Sequence, residues 1–421
     1  MEITMKIAVL GNQARAMCNF WTLLIRRLSE SGHEVICLVP ESSKANMEAG
    51  LMESGMDGLQ AETDATAWEK RLENTGARVL HYPLDRKGLN PAKDLKSLLA
   101  LRSVFAREQP EILFAYTIKP VIYGAMAAAL AGSPARERRC LMITGLGYMF
   151  EGGSFVKRAL MQVARLLYRT AFSCAGKVFF QNAEDWELFE KLSIIPQRTA
   201  VRMSKGCGVD TERFSPKPLP SGPATFLFVG RLLEAKGLRE LAEAARLVKR
   251  EHPEVRFCIL GPEEHGAGSI PLAEVLQWQN EGILDYLGET SDVRPYIEKA
   301  TAVVLPSWRE GTPCSLLEAM SMERPIIAAD APGSREVIRH GINGLLTPVK
   351  DAPALAEAMK SLITDPSSVK RMGKSGRNLA VREFSADAVA CYLMREMGIP
   401  PIQETVDERL PSPQESAVPL A

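Results

Sequence analysis

Two cations and two carboxylates are the residues of this chain best suited to chemistry. The run VGRLLEAKG, residues 229–237, carries Arg231 and Lys236 around a helix start expected near Gly237. Two cations and the free N–H groups of a helix start can converge on one anion, and a diphosphate fits that arrangement. A solvated loop with ordinary surface cations fits the run alone equally well. The G-x-x-x-x-G-K-[ST] cradle is missing, so it is not a P-loop.

The stretch REGTPCSLLEAM, 309–320, places Glu310 and Glu318 eight residues apart. That spacing says little, since Glu243/Glu251, Glu281/Glu289 and Glu396/Glu404 repeat it. Context says more. The apolar run AVVLP precedes the stretch, exposed amides are expected from Gly311 to Ser315, and Thr312-Pro313 reads as a helix cap and first-turn pair. Glu310 then falls in the loop and Glu318 about one and a half turns into the helix, at ~3.6 residues per turn. Simple helix-start charges are the competing reading. The next turn, Asp330 to Ser334 in AADAPGSREV, either closes the same pocket or is only a turn.

Short apolar runs alternate with helical patterns along the whole chain: KIAVLG, EVICLVP, EILFAYT and KVFFQN in the first half, then ATFLFVG, RFCILGP, AVVLP and PIIAAD in the second. This is the order of an α/β fold with parallel sheets. The Pro-rich FSPKPLPSGPA divides two Rossmann-like domains in tandem. The expected parse is a domain at 1–213, a linker at 214–224, a second domain at 225–380, a helix at 381–400 packing at the domain boundary, and a disordered tail at 401–421. Ligands of such sheets bind beyond the carboxyl ends of the strands, so a cleft between the domains is the expected site.

The 421 residues carry 51 Lys+Arg and 51 Asp+Glu, which removes any global case for nucleic acid. The balance is uneven: residues 1–210 hold 27 cations against 22 acids, and the remainder 24 against 29. Eight cysteines lie without a C-x-x-C or a His partner at zinc spacing, and read as reduced thiols of a cytosolic protein. The N-terminus runs straight into a strand pattern with no signal peptide expected, and no apolar run approaches the ~20 residues of a membrane span.

VGRLLEAKG followed by SWREGTPCSLLEAMSMERPIIAADAPGSREVIRHGINGLLTP resembles glycosyltransferase family 4, and as an ordered set these motifs cover nearly the whole second half. The resemblance implies the two-domain GT-B architecture and retaining transfer from a nucleotide sugar. It implies Arg231 and Lys236 on the donor diphosphate, Glu318 on the ribose hydroxyls and Glu310 on the donor sugar near the reacting carbon. It further implies that the turn Gly311, Thr312, Pro313, Cys314 and Ser315 meets sugar and phosphate, and that Gly11 approaches the phosphates. A GT-A enzyme would carry a metal-binding D-x-D; none is found, so no catalytic metal or cofactor is expected.

HYPLDRKGLNPAKDL, YTIKPVIYG, ITGLGYMF, VFFQNAEDWELF and KGCGVDTERF in the first half resemble the branch acting on undecaprenyl-diphosphate-linked saccharides, such as the diacetylbacillosaminyl-diphospho-undecaprenol GalNAc transferases. Two departures stand out. GNQARAMCNFW lacks the usual Gly-Gly pair, and Thr117-Ile118-Lys119 replaces a sugar-contacting His, which leaves Lys119 as the nearest polar candidate. Arg86, Lys87 and Asn90 of DRKGLNP are candidates for the acceptor diphosphate, with a capped turn as the alternative.

The segment 154–177 interleaves Lys157, Arg158, Arg165, Arg169 and Lys177 with apolar residues and has no acid, and Arg136, Arg138 and Arg139 stand nearby. Such a helix can lie on an anionic membrane surface, or be a core helix with snorkelling cations. The expected protein is therefore a UDP-sugar-dependent HexNAc transferase acting on a lipid-linked saccharide, cytoplasmic and peripheral at the inner face of the plasma membrane. A UDP-sugar epimerase or phosphorylase on the same scaffold, or a non-catalytic sugar-nucleotide-binding partner, are the alternatives; a dehydrogenase is disfavoured for want of a strand-anchored G-x-G-x-x-G.

Overall fold

A computed structural model describes residues 4–41, 58–86, 88, 90–146, 155–266 and 268–400, without side chains for 58–65 and 155–158. The chain forms two compact units, one of residues 1–207 with 386–421, the other of 208–385. Lys87 and the tail lie outside the described residues.

The first unit contains β1 (Lys6–Leu10), α1 (Ala14–Glu30), β2 (Glu34–Pro40), α2 (Gly58–Glu73), β3 (Arg78–Tyr82), α3 (Pro91–Glu108), β4 (Ile112–Tyr116), α4 (Ile118–Ala131), β5 (Arg139–Ile143), α5 (Phe155–Ser173), β6 (Lys177–Phe180), α6 (Ala183–Lys191) and β7 (Ala200–Met203). Its parallel sheet runs β3-β2-β1-β4-β5-β6-β7. Ile7 pairs with Val35 on one side and Ile112 on the other. Strands such as β4 are buried at every residue, which is why they read as unbroken apolar runs rather than alternating ones. One sheet face is covered by α3 to α6 and the other by α1 and α2.

The second unit contains β8 (Thr225–Val229), α7 (Leu238–Glu251), β9 (Arg256–Leu260), α8 (Leu272–Asn280), β10 (Asp285–Tyr286), α9 (Arg294–Lys299), β11 (Ala302–Leu305), α10 (Cys314–Ser321), β12 (Ile326–Ala329), β13 (Gly344–Thr347), α11 (Ala352–Thr364) and α12 (Pro366–Glu383). Its sheet order is β10-β9-β8-β11-β12-β13. In both sheets the strand order reverses once, at β1/β4 and at β8/β11, while every pairing stays parallel. In such sheets ligands gather beyond the strand ends at that switch point.

Two boundaries differ from the expected parse. Residues 214–224 belong to the second unit and are tied into it. The guanidinium of Arg324, fully buried, donates to the carbonyls of Lys217 and Pro218 as well as Ile297, Met322 and Glu298. Arg377 likewise donates to the carbonyls of Thr211 and Phe214. A Pro-rich composition signals irregular backbone, but not whether its carbonyls find donors. The second difference is that α13 (Ala386–Glu396) belongs to the first unit, where Val389, Leu393 and Met394 pack with Trp21, Leu24 and Ile25 of α1.

Candidate active site

In the second unit the cationic turn and the glutamate loop leave the two switch-point strands, β8 and β11. The backbone N–H of Trp308 donates to the Ala235 carbonyl at 2.9 Å, joining them. Across this junction the Lys236 ammonium meets the Glu310 carboxylate at 2.5 Å, both side chains largely buried. Arg231 is instead more than half exposed and paired with Glu264 at 3.2 Å. The two cations therefore have separate carboxylate partners.

The turn of 330–334 does border this loop. The Glu310 N–H donates to the Pro332 carbonyl at 3.0 Å, and Gly333, at φ 84°, packs so closely that a Cβ there would stand 2.2 Å from the Gly311 oxygen. Only glycine meets both demands. Two buried hydroxyls, Ser307 Oγ and Ser334 Oγ, follow β11 and β12 and lack a hydrogen-bond partner among the described residues. Sequence reasoning passed over both, as well as Glu264 and Trp308, whose ring lies 3.7 Å beneath the Lys350 ammonium. Ser334 was reachable from its turn; Ser307 offered no signal beyond following a strand.

The helix after the loop starts one residue later than expected. Pro313 occupies the cap position of α10 and no side chain caps it, so Cys314 and Ser315 open the helix and Thr312 sits buried before it. Glu318 is partly exposed on α10. Desolvation pushes its carboxyl up to about 7, with Arg213 pulling it down and Asp292 adding to the rise.

In the first unit, Gly11 ends β1 at the other switch point. Tyr82 Oη donates to its carbonyl at 2.7 Å, and a Cβ at Gly11 would lie 2.2 Å from Tyr116 Oη, so the backbone approaches only because the side chain is missing. Arg86 lies against the side-chain amide of Gln13, the cap residue of α1, which places a guanidinium beside the Gly11 turn. Thr117, directly after β4, holds φ 67°, a strained value for a β-branched residue.

The other acceptor candidates are engaged internally. Asn90 caps α3, its side chain accepting from Ala92 and Lys93, which is the capped-turn alternative. Lys119 donates all three ammonium protons, to the Asp85 and Gly88 carbonyls at 2.6 and 2.7 Å and to Asp94 at 2.6 Å. It fixes the turn that carries Arg86 rather than presenting a free cation. The three arginines at 136–139 are likewise no open basic patch: Arg139 is buried against the carbonyls of Pro134, Cys174 and Ala128, Arg136 bonds those of Ser173 and Arg198, and Arg138 lies 3.7 Å from Glu111. Among the described residues no helix is long and apolar enough to cross a membrane.

Two parallel sheets of this kind, one carrying a cation–carboxylate crest at its switch point, are the halves of a GT-B glycosyltransferase. The fold matches that of Anabaena HepE in complex with UDP, at TM-score 0.69 and 16% identity over 94% of this chain and 100% of that one. It also matches sucrose-phosphate synthase of Thermosynechococcus elongatus, at TM-score 0.72 and 17% identity over 93% and 98%.

Residues 209–379 match the model of glycosyl transferases group 1, and residues 19–203 that of the glycosyl transferase 4-like domain. The chain is thus a glycosyltransferase, made of a 4-like domain followed by a group 1 domain. It is 24% identical, over 90% of its length and 94% of the relative's, to the N,N'-diacetylbacillosaminyl-diphospho-undecaprenol alpha-1,3-N-acetylgalactosaminyltransferase of Campylobacter jejuni. It is 27% identical, over 73% and 80%, to the UDP-Gal:alpha-D-GlcNAc-diphosphoundecaprenol alpha-1,3-galactosyltransferase of Escherichia coli.

Proposed function

We propose that this protein moves a sugar, a HexNAc in the first instance, from a UDP-sugar to an undecaprenyl-diphosphate-linked saccharide in bacterial surface-glycan assembly, with retention at the anomeric carbon. The observation that carries the reading is the Lys236–Glu310 pair, which joins the two switch-point loops just before the start of α10. The names of the relatives in C. jejuni and E. coli support the lipid-linked acceptor, and the latter name the UDP-sugar.

In the transfer the bond from the anomeric carbon to the diphosphate oxygen breaks, its electron pair leaving with UDP. The acceptor hydroxyl oxygen forms the new bond on the same face and its proton passes to the leaving phosphate. Lys236, Arg231 and the amides from Gly311 to Ser315 stabilise the growing phosphate charge, the electrostatic effect of an oxyanion hole. Glu310 holds the sugar hydroxyls and faces the positive charge of the opening ring, and Glu318 takes the ribose hydroxyls. Arg86 beside Gly11 meets the acceptor's diphosphate, held there by Lys119. The outward side of α5 lies against the inner face of the plasma membrane. Epimerase, phosphorylase and non-catalytic readings have no observation in their favour.

The test is UDP release from a panel of UDP-sugars, with and without an undecaprenyl-diphosphate-linked saccharide. Release that requires the acceptor supports transfer; sugar interconversion without acceptor contradicts it.

A further inference from the structure

We propose that the first unit docks on an anionic bilayer through a face built from two helices, α3 and α5, and that α3 contributes the leucines that enter the lipid. This deepens the lipid-linked reading above and rests on it. Among the described residues the large apolar side chains exposed in this unit are Phe20, Leu95, Leu99, Leu130, Val163 and Leu166. All but Phe20 lie on α3, α4 and α5, which share one sheet face, with α4 packed against both of the others.

Leu95 and Leu99 stand one turn apart on α3, 56% and 49% exposed, above a shallow groove bordered by Ala92, Lys96 and Ser103. Helix α5 turns Tyr168 and Phe172 into the core while Val163 and Leu166 remain 54% and 65% exposed. Both helices thus have an inner apolar face that the fold uses and an outer apolar row that it does not.

Charge selects the occupant. The exposed charged residues of α3 from Ala92 to Arg107 are Lys93, Lys96, Arg102 and Arg107, all cations. Asp94 is buried under Lys119 and Tyr123, Lys93 is paired with Asp85 at 3.2 Å, and Glu108 is shared by Arg78 and Arg107, so Lys96 and Arg102 carry the charge of the outer row. Helix α5 has no acid in its sequence. A two-fold contact with a second copy would set these cations against themselves. An anionic bilayer accepts the leucines into its acyl boundary and the cations among its headgroups.

The test is sedimentation of the full chain with phosphatidylethanolamine vesicles, with and without phosphatidylglycerol, in the absence of donor and acceptor. The wild type should bind only the phosphatidylglycerol vesicles. Leu95→Glu with Leu99→Glu should weaken that binding by tenfold or more, on the order of two buried apolar side chains lost. Lys96→Gln with Arg102→Gln, which leaves the apolar row intact, should weaken it by about fivefold per charge. Both double variants should keep the wild-type rate on a water-soluble short-chain acceptor. Vesicle binding that survives the leucine changes overturns the proposal, as does self-association of the wild type that those changes abolish, which would make the face a subunit contact. If vesicle binding behaves as described but no sugar reaches a polyprenyl acceptor, the docking face stands and the proposed reaction falls.

Discussion

Glu318 links the site to pH. With its carboxyl raised from 4.5 to about 7 in the folded chain, the unfolded state has already released the proton that the native state still holds between those values. Stability therefore falls as pH rises from about 4.5 to about 7 and is flat above. Glu318→Gln removes this dependence: its thermal midpoint should match the wild type near pH 4.5 and exceed it at pH 8. Donor binding should move the other way. A ribose hydroxyl bonds best to the ionised carboxylate, so UDP affinity of the wild type should rise through pH 7, whereas that of Glu318→Gln should stay level; calorimetry at three pH values decides it. At this scale the sequence singled out the two glutamates, but not that Glu310 meets Lys236 while Glu318 lies on the following helix. The contact joins loops from strands more than seventy residues apart, and only the sheet order brings them together. Asn90 and Lys119 show the converse: as polar residues in a loop and at a helix start they read as binding groups, and folding engages both.

The strands and most helices were legible because parallel strands buried on both faces must be apolar throughout, and because each crossover needs an amphipathic helix. What stayed hidden were features set by backbone approach. The turn at Gly333 lies against Glu310 and Gly311, so Gly333→Ala should displace the glutamate loop as well as strain the turn. Its kcat/KM should fall by about 10² or more, on the scale of an ångström of misplacement, while the sheet's circular dichroism persists. The fate of 214–224 was equally hidden, because five backbone carbonyls around one buried guanidinium leave no sequence pattern. Arg324→Met should strip those carbonyls of their donor and destabilise the second unit by about 3 kcal/mol or more. A urea titration followed by hydrogen exchange within 208–385 would locate that loss.

At the scale of the whole molecule the chain enters the second unit at Gly208 and leaves it after Ser385, and these ends lie side by side, the Val209 N–H donating to the Phe384 carbonyl at 2.8 Å. The tandem arrangement was legible in the repeated strand–helix order, but the return of α13 to the first unit was not, since an amphipathic helix does not say which face it will cover. Each unit keeps its candidate residues at its own switch point, and the proposed transfer asks both to serve one reaction. The direct measurement is acceptor-dependent UDP release with a UDP-HexNAc and an undecaprenyl-diphosphate-linked saccharide, comparing the wild type with Lys236→Ala and Arg86→Ala. The account predicts a loss of kcat/KM of about 10² to 10³ for Lys236→Ala, the scale of a lost oxyanion contact, and a raised acceptor KM with unchanged donor KM for Arg86→Ala. A near-normal rate in Lys236→Ala, with a lipid-linked product formed, would contradict it.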